Sequence, residues 1–367
     1  MRVLHAAQSS EYGLGRYLAD LVAAQVEAGW DVTIAGNPDS ELRPLAHGAT
    51  WLAWQASRDP GPSTLAEARA LARLVKQANP DVVHLHSSKA GLAGRLALRR
   101  TRPTVFQPHA WSFYAVGGPK QAAARLWERV GARWADVIVC GSQGEHAQGV
   151  AAGIKARRWE VVPNAVDTHR FSPGDRWAAR TKLGLPHDAP IAVCAGRLAI
   201  AQKGQDVLLA AWPAVEAAVP DARLVLVGDG PDRADLERRA SASASVEFAG
   251  ASDEMPAWFR AADVVVAPSR YETLSLSVLE ACACGRSVVA TDAVGMREAV
   301  GDTGAVVPME DADALAAAVI ERLKNPKRAA LEGEAARSRV EGSFGRDRWA
   351  ERMLALTEAA ARREPSP

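Results

Sequence analysis

Two basic side chains follow a strand-like run in the second half of the chain. Arg197 and Lys203 come after the apolar residues 191–195, with Gly196 and Gly204 beside them. An arginine guanidinium offers a planar fork to phosphate oxygens, and a lysine ammonium offers a mobile point charge. The pair is therefore expected to clamp a pyrophosphate and to stabilise it as a leaving group. The alternative is that both are solvated loop residues.

The segment PSRYETLSLSVLEACACG follows another apolar run and contains two glutamates. A helix is predicted over residues 275–284, and its first turn would offer free N–H groups to phosphate or hydroxyl oxygens. Glu272 precedes this helix, whereas Glu280 lies within it after two apolar residues, so the Glu280 carboxylate is expected to be buried. A buried carboxylate needs partners, which the two hydroxyls of a ribose would supply. A salt bridge on the helix surface is the alternative.

Histidines mark the ends of two strand-like runs in the first half. His109 follows such a run in QPHAWSF, where a neutral imidazole could hydrogen-bond a sugar hydroxyl or simply cap the strand end. His84 and His86 alternate in VVHLHSS and therefore share one face of their strand. We expect His86, near the strand end, to belong to a site and His84 to belong to the core.

Two glycines, Gly13 and Gly15, precede the first predicted helix. This is not a dinucleotide-binding fingerprint, because Leu18 occupies the third glycine position. Bare backbone N–H groups at a helix start can still bind phosphate, and a plain tight turn is the alternative.

Short apolar runs alternate with helical patterns through most of the chain, which predicts parallel α/β sheets. The alternation breaks at residues 171–190, which are rich in Pro and Gly, and then restarts. The predicted fold is α/β: two Rossmann-like parallel-sheet domains facing across a cleft. We predict an N-terminal domain over 1–170 that binds an acceptor, a C-terminal domain over 171–346 that binds a donor, and a helix over 347–367 that packs back on the N-terminal domain. The strands are predicted at 2–7, 31–36, 50–54, 82–86, 104–108, 137–140, 160–163, 191–195, 223–227, 246–249, 264–267, 287–291 and 304–307.

Composition excludes several classes of protein. The 367 residues include 44 Lys and Arg against 43 Asp and Glu, and this balance argues against a nucleic-acid binder. Four cysteines are too few for a disulfide scaffold, and their spacing does not suggest a zinc site. No apolar stretch is long enough to span a membrane. The sequence therefore predicts a cytoplasmic protein.

These motifs together resemble the retaining, nucleotide-sugar-dependent glycosyltransferases of family 4, which have the GT-B fold. Glu272 and Glu280 match the Glu-x7-Glu motif of that family. The resemblance extends over nearly the whole chain through the segments DVVHLHSS, QPHA, VPNAVDTHRFSP, AGR…KG, LVGDGP, PSRYE and TDAVGMREAV.

The resemblance implies a role for each candidate residue. Glu280 would bind the nucleotide ribose, Glu272 would lie near the donor sugar, and Arg197 and Lys203 would hold the diphosphate. His109 would contact the sugar. Further donor contacts would come from the glycines and from the backbone before the helix, at Gly13, Gly15, Leu274, Ser275 and Leu276. Members of the family retain anomeric configuration and need neither a metal nor a cofactor beyond the nucleotide sugar.

The chain departs from the family pattern in the segment that contacts the donor sugar. Thr273-Leu274-Ser275 stands where Gly-Phe-Gly is usual, so the donor sugar is open. We expect transfer of a hexose or N-acetylhexosamine, with a UDP-sugar favoured, to a polyprenyl-linked glycan or a soluble aglycone. Polysaccharide, cell-envelope and natural-product pathways all fit. A sugar-nucleotide epimerase and a non-catalytic sugar-binding protein are the alternatives.

A basic cluster follows the fourth predicted strand. Arg95, Arg99, Arg100 and Arg102 would either form a solvated helix end or face anionic lipid or a phosphorylated acceptor. The second interpretation predicts peripheral contact with the inner face of the membrane.

Overall fold

The computed structural model describes residues 1–8, 12–40, 42–57, 59–114 and 116–363. The chain divides into two compact units, Met1–Asn164 with Asp347–Pro367, and Ala165–Arg346. The sequence placed this division at residue 170 rather than 164. A backbone bridge between Val166 and Gly345 explains the earlier boundary, because it joins residues just after Asn164 to the end of the second unit.

The N-terminal unit contains a seven-stranded parallel sheet with the order β3-β2-β1-β4-β5-β6-β7. Its strands are apolar and mostly buried, as expected for a sheet covered by helices on both faces. The strands are β1 (Arg2–Ala7), β2 (Asp31–Gly36), β3 (Thr50–Ala53), β4 (Val82–His86), β5 (Thr104–Gln107), β6 (Val137–Cys140) and β7 (Trp159–Val161).

The described residues of this unit form six α-helices. They are α1 (Tyr12–Glu27), α2 (Thr64–Ala78), α3 (Ser87–Leu98), α4 (Gly118–Gly131), α5 (Gln143–Ala151) and the C-terminal α15 (Arg346–Arg362). Helix α15 contacts α1 through aromatic packing, since the rings of Tyr17 and Trp349 lie 5.0 Å apart between centroids. The apolar stripe of α15 thus covers part of the N-terminal core.

Helix α1 begins earlier than the sequence indicated. Gly13 and Gly15 lie within its first turn rather than before it. The buried residues Leu18, Leu21 and Val22 explain this, because they form an apolar stripe that a helix starting at Tyr12 presents to the sheet. The first backbone N–H groups of α1, including that of Gly13, lack intrahelical acceptors by position.

The C-terminal unit contains a six-stranded parallel sheet with the order β10-β9-β8-β11-β12-β13. Its strands are β8 (Ile191–Ala195), β9 (Arg223–Val227), β10 (Val246–Gly250), β11 (Val264–Ala267), β12 (Ser287–Thr291) and β13 (Ala305–Val307). Its helices are α6 (Arg176–Leu183), α7 (Ile200–Lys203), α8 (Gln205–Ala218), α9 (Arg233–Ala240), α10 (Met255–Ala261), α11 (Leu276–Ala283), α12 (Met296–Val300), α13 (Ala312–Lys324) and α14 (Pro326–Ser343).

The predicted basic surface cluster is wrong for Arg95. Its side chain is fully buried, donates to Glu128 at 2.8 Å and lies 3.9 Å from the centroid of the Phe106 ring. The reason is its place on the face of α3 that packs on the sheet, where Gly91 lies one turn earlier against the same ring. Among the residues that the structure describes, no helix is both long and apolar enough to cross a membrane.

Candidate active site

The candidate residues lie where the strand order of each sheet reverses. In the N-terminal sheet the reversal falls between β1 and β4, and in the C-terminal sheet it falls between β8 and β11. Helices leave adjacent strands toward opposite faces at such a point, so a crevice opens at the carboxyl ends of the two strands. Each unit therefore has one predicted crevice, and we describe each by itself.

In the C-terminal unit, Lys203 and Glu272 form a direct ion pair. Lys203 ends α7 after β8, and Glu272 lies in the loop after β11, so the pair links the two strands at the reversal point. Ser269 also donates to Glu272, over 3.1 Å. Both charged side chains are mostly but not completely buried, with 20% exposure for Lys203 and 10% for Glu272. An anionic ligand that reaches this loop would find an ammonium group already in place.

Arg270 holds the two loops together. It donates to the carbonyl oxygen of Ile200 at 2.7 Å, and it pairs with Asp206 at 2.6 Å and with Glu310. The N–H of Arg270 also donates to the carbonyl oxygen of Gln202 at 2.9 Å. Hydrogen bonds to Glu310 and Asp206 raise the pKa of Arg270 above its ordinary value. Its charge is thus committed to structure, and it positions Lys203 opposite Glu272.

Two glycines allow the backbone to approach this loop closely. A Cβ at Gly204 would lie 2.1 Å from the carbonyl oxygen of Pro268, and a Cβ at Gly295 would lie 1.6 Å from that of Thr273. Both residues have left-handed backbone conformations, with φ of +61° and +77°. The segment between β11 and α11 is therefore fixed in position by contacts that only glycine permits.

Glu280 is buried, as predicted, with 7% of its surface exposed. It lies in α11, whose N-cap is Ser275 and whose first residue is Leu276. Leu274 and Ser275 are also buried, and the Ser275 hydroxyl lies 3.1 Å from that of Ser277. Arg197 follows β8, and its carbonyl oxygen accepts from Gln205 at 2.8 Å. The C-terminal candidates thus lie on the loops and helix starts that follow two adjacent strands.

In the N-terminal unit, histidines form a hydrogen-bonded chain. His5 on β1 lies opposite His84 on β4 in the sheet register. Nδ1 of His5 lies 3.0 Å from Nε2 of His86, and Nδ1 of His86 lies 3.0 Å from Nε2 of His109. At the other end, Nε2 of His5 lies 2.7 Å from Oε1 of Gln25 on α1. We call these four residues, Gln25, His5, His86 and His109, the histidine chain.

His84 is not part of the histidine chain. Its ring stacks on that of His86, with centroids 4.0 Å apart, and neither of its nitrogens makes a direct hydrogen bond of good geometry to a described residue, although the nearby Gln107 side chain raises its pKa against the effect of burial. Both His84 and His86 are fully buried. The sequence-based distinction between the two thus corresponds to a difference in hydrogen bonding rather than in exposure.

Burial keeps these imidazoles neutral. It lowers the pKa of His5 to about 4 and that of His109 to about 3. Burial, together with the neighbouring histidines, lowers the pKa values of His84 and His86 well below the ordinary range. Desolvation disfavours the charged form of a histidine, and no described carboxylate hydrogen-bonds to these rings to offset it.

A left-handed turn presents His109 at the end of β5. His109 and Ala110 have φ of +50° and +92°, which is unusual for residues other than glycine. The buried carboxylate of Glu145 holds this turn by accepting from the N–H of Ala110 at 2.5 Å and from the N–H of Gly141 at 2.7 Å. The ring of Tyr17 packs edge-on against His109 with centroids 4.9 Å apart. His109 is therefore held in one place by neighbours on three elements.

Three histidines of this unit, His5, His84 and His86, are close enough together to hold a cation. One ring nitrogen from each of His5, His84 and His86 lies within 4.8 Å of the others. In the structure, however, His5 and His86 already hydrogen-bond to each other. Each imidazole nitrogen is either a donor or an acceptor, so this bond uses two of the available nitrogens.

Sequence reasoning missed His5, Gln25 and Glu145. The signal for Gln25 was its place in the α1 stripe with Leu18, Leu21 and Val22, where a polar residue at a buried position needs a polar partner. His5 could have been paired with His84 if β1 and β4 had been assigned as neighbours. Ser142 and Glu145 match the pattern of a helix capping box.

Comparison with known proteins shows the family of this chain. A model described as "Glycosyl transferase 4-like domain" matches residues 12–165, and one described as "Glycosyl transferases group 1" matches residues 189–325. A GDP-mannose-dependent monoacylated alpha-(1-6)-phosphatidylinositol monomannoside mannosyltransferase from Corynebacterium glutamicum is 31% identical over 95% of each chain. The chain belongs to the group 1 glycosyltransferases, family 4.

Two further proteins are similar to this glycosyltransferase. A D-inositol 3-phosphate glycosyltransferase from Geodermatophilus obscurus is 35% identical over 77% of this chain and 67% of that protein. The structure of a sucrose-phosphate synthase from Thermosynechococcus elongatus matches with a TM-score of 0.85, 25% identity and 98% coverage of both chains. The two parallel sheets are those of the GT-B fold.

Proposed function

We propose that this glycosyltransferase moves a hexose from a nucleoside diphosphate sugar to an acceptor hydroxyl, with retention of anomeric configuration and without a metal. The observation that supports this most is the Lys203–Glu272 ion pair at the strand reversal of the C-terminal sheet, beside α11 and the buried Glu280. A diphosphate leaving group gains negative charge as the glycosidic bond breaks. Lys203, Arg197 and the N-terminal end of α11 would stabilise that charge.

The ion pair gives each partner a role in this proposal. A diphosphate would compete with Glu272 for the Lys203 ammonium group. The Glu272 carboxylate would then accept hydrogen bonds from the hydroxyls of the donor sugar. Glu280 would take the two ribose hydroxyls, because a carboxylate has two oxygens and a buried one needs hydrogen-bond donors.

We propose GDP-mannose as the first donor to test and a UDP-sugar, which the sequence analysis favoured, as the second. GDP-mannose comes first because the relative that matches 95% of the chain is described as GDP-mannose-dependent. The acceptor proposed first is a phosphorylated inositol, since the names of both relatives contain an inositol phosphate unit.

The test is a panel of GDP-mannose, UDP-glucose and UDP-N-acetylglucosamine, each with and without D-inositol 3-phosphate or a phosphatidylinositol monomannoside. We expect one donor to give a product whose anomeric configuration, measured by NMR, equals that of the donor. Lys203→Ala should lower turnover by about 100-fold or more. The control is Lys182→Ala, which breaks the exposed Lys182–Glu254 pair in the same unit and should leave turnover unchanged.

Three outcomes would contradict the proposal. Inversion of configuration would refute retention, and epimer formation from UDP-N-acetylglucosamine without acceptor would indicate an isomerase. Binding of free sugar with no transfer from any donor would indicate a non-catalytic protein.

We further propose that the protein acts in the cytoplasm at the inner face of the membrane. Arg99 is exposed, and Arg100 and Arg102 are partly exposed, so these three remain of the predicted basic cluster. Arg100 lies 3.5 Å from Asp136, and Arg102 donates to Asn79 at 2.6 Å. Co-sedimentation with anionic vesicles should fall as salt rises, and Arg99→Glu should weaken it. Equal recovery with neutral vesicles would refute this surface.

A further inference from the structure

The histidine chain joins a buried amide on α1 to the partly exposed imidazole that the family resemblance places beside the sugar. Its three contacts are 2.7 Å from Gln25 to His5, 3.0 Å from His5 to His86 and 3.0 Å from His86 to His109. All three imidazoles are contacted through ring nitrogens. The chain is therefore continuous from α1 to the turn after β5.

Because the imidazoles are neutral, all hydrogen bonds of the chain must be donated in the same direction along it. A neutral ring has one N–H donor and one acceptor nitrogen, so a ring that accepts at one nitrogen must donate at the other. In the structure Gln25 presents its carbonyl oxygen Oε1 to His5. This oxygen can only accept, so Nε2 of His5 carries the proton and Nδ1 accepts from Nε2 of His86. By the same rule, Nδ1 of His86 accepts from Nε2 of His109.

The last ring is then left with an acceptor at Nδ1. Among the described residues, the hydrogen bond of His109 is the one to His86, through Nε2. His109 is partly exposed, whereas His5 and His86 are fully buried. Nδ1 is thus the end of the chain that has no hydrogen bond within the part of the molecule that the structure describes.

The Gln25 amide determines this direction. If the amide turned by half a rotation, its nitrogen would donate to His5, every proton in the chain would move to the other ring nitrogen, and Nδ1 of His109 would become a donor. The Gln25 nitrogen has no hydrogen-bond partner among the described residues. The contact with His5 is therefore the one described hydrogen bond of this amide, and it couples the amide orientation to His109.

We infer that Gln25 is a positioning residue which, through His5 and His86, makes Nδ1 of His109 a hydrogen-bond acceptor for a hydroxyl group of the sugar or the acceptor. This inference rests on the proposed function for the identity of that hydroxyl, but the tautomer of His109 can be measured without any substrate.

The test is nitrogen-15 NMR of the full-length protein with labelled histidine. In the wild type we expect His109 to carry its proton on Nε2. Gln25→Met keeps a side chain of similar size but cannot anchor the chain, so His109 should show a mixture of both tautomers. The kcat of Gln25→Met should fall by about tenfold, as expected for one lost oriented hydrogen bond, with the nucleotide Kd unchanged. The control is Leu21→Met, one turn earlier on the same buried face of α1, which should alter neither.

Several results would overturn the inference. A proton on Nδ1 of His109 in the wild type would contradict the direction, and this result needs no variant to fold. An unchanged tautomer in folded Gln25→Met would show that Gln25 does not set it. If one equivalent of Zn²⁺ shifted the signals of His5, His84 and His86 together, the cluster would be a metal site. A tautomer shift without turnover by the wild type would instead refute the proposed function and leave the chain intact.

Discussion

Lys203 and Glu272 form an ion pair at the carboxyl end of the C-terminal sheet, whereas β1, β4 and the turn after β5 in the N-terminal unit carry neutral histidines. Lys203 and Glu272 retain some exposure and neutralise each other. His5 and His86 are fully buried, and no described carboxylate pairs with them. A charge survives in the first environment because a partner and water stabilise it, while desolvation removes charge in the second. We infer that the C-terminal loops suit an anionic diphosphate and that the N-terminal chain suits uncharged hydroxyls.

The largest effect expected from this difference is a loss of stability in mild acid. The folded-state pKa of the fully buried His5, about 4, lies below the ordinary 6.5, and the pKa values of the fully buried His84 and His86 are lowered in the same direction. The unfolded chain therefore binds more protons, so stability is fully present above pH 6.5 and is lost as pH falls. Each such histidine should cost about 1.4 kcal/mol per pH unit below 6.5. Guanidinium unfolding at pH 7, 6 and 5 measures this loss.

The Glu67 carboxylate would not obscure that measurement, whereas Glu128 would partly offset the loss, because burial raises its pKa and a raised carboxyl pKa makes stability fall as pH rises. Burial by itself would raise the pKa of Glu67. Hydrogen bonds from Lys89 and Ser57 outweigh this effect and lower the pKa to about 2. Stability from Glu67 is therefore present above about 4.5 and is lost only as pH falls toward 2. A free energy of unfolding that stays constant between pH 6.5 and 5 would show that the histidines are not buried in the neutral form.

A glycine substitution should test the rigidity of the charged site. Gly295→Ala should destabilise the protein by roughly 3 kcal/mol, since it adds a clash with Thr273 to the strain of a left-handed backbone. Gly29→Ala is the matched control, because Gly29 has φ of +76° but nothing within 4 Å of an added Cβ. It should cost only about 1 kcal/mol. Equal losses of stability in the two variants, measured by thermal unfolding, would mean that the loop containing Thr273 moves to accommodate the added methyl group.

The smallest expected effect is a difference in stability between variants of two buried histidines, His84 on β4 and His5 on the neighbouring β1. His84→Leu removes a ring whose nitrogens make no direct hydrogen bond of good geometry to a described residue, so we expect a gain of about 1 kcal/mol at pH 7. His5→Leu breaks the histidine chain and should lose a similar amount. Chemical unfolding of both variants measures the contrast, and destabilisation of both by the same amount would argue that Gln107 hydrogen-bonds to His84.

The sequence predicted the parallel sheets well because buried β-branched runs and Gly or Pro boundaries are local signals. β1, β2, β4 and β6 were predicted with the bounds that the structure shows. It also predicted the burial of Glu280, since its neighbours in α11 are apolar.

What the sequence could not predict depends on contacts between distant segments. Arg95 was assigned to the surface because an arginine is usually exposed, but Glu128 on α4 and the Phe106 ring offer it a buried place. The histidine chain forms only where α1, β1, β4 and the turn after β5 meet. The sequence of each segment alone does not show which strands are neighbours in the sheet. The start of α1 was misplaced for a simpler reason, because Gly13 and Gly15 are typical of loops.

The most direct test of the contrast between the two units is calorimetric binding of GDP and UDP, without sugar, to three proteins. For the nucleotide that binds, Lys203→Ala should lose about tenfold to 100-fold in affinity, the value of a charge-assisted hydrogen bond. His109→Leu should bind that nucleotide within about twofold of the wild type, because the chain offers no charge to a diphosphate. If the His109 variant lost affinity and the Lys203 variant did not, the assignment of the diphosphate to the C-terminal unit would be wrong.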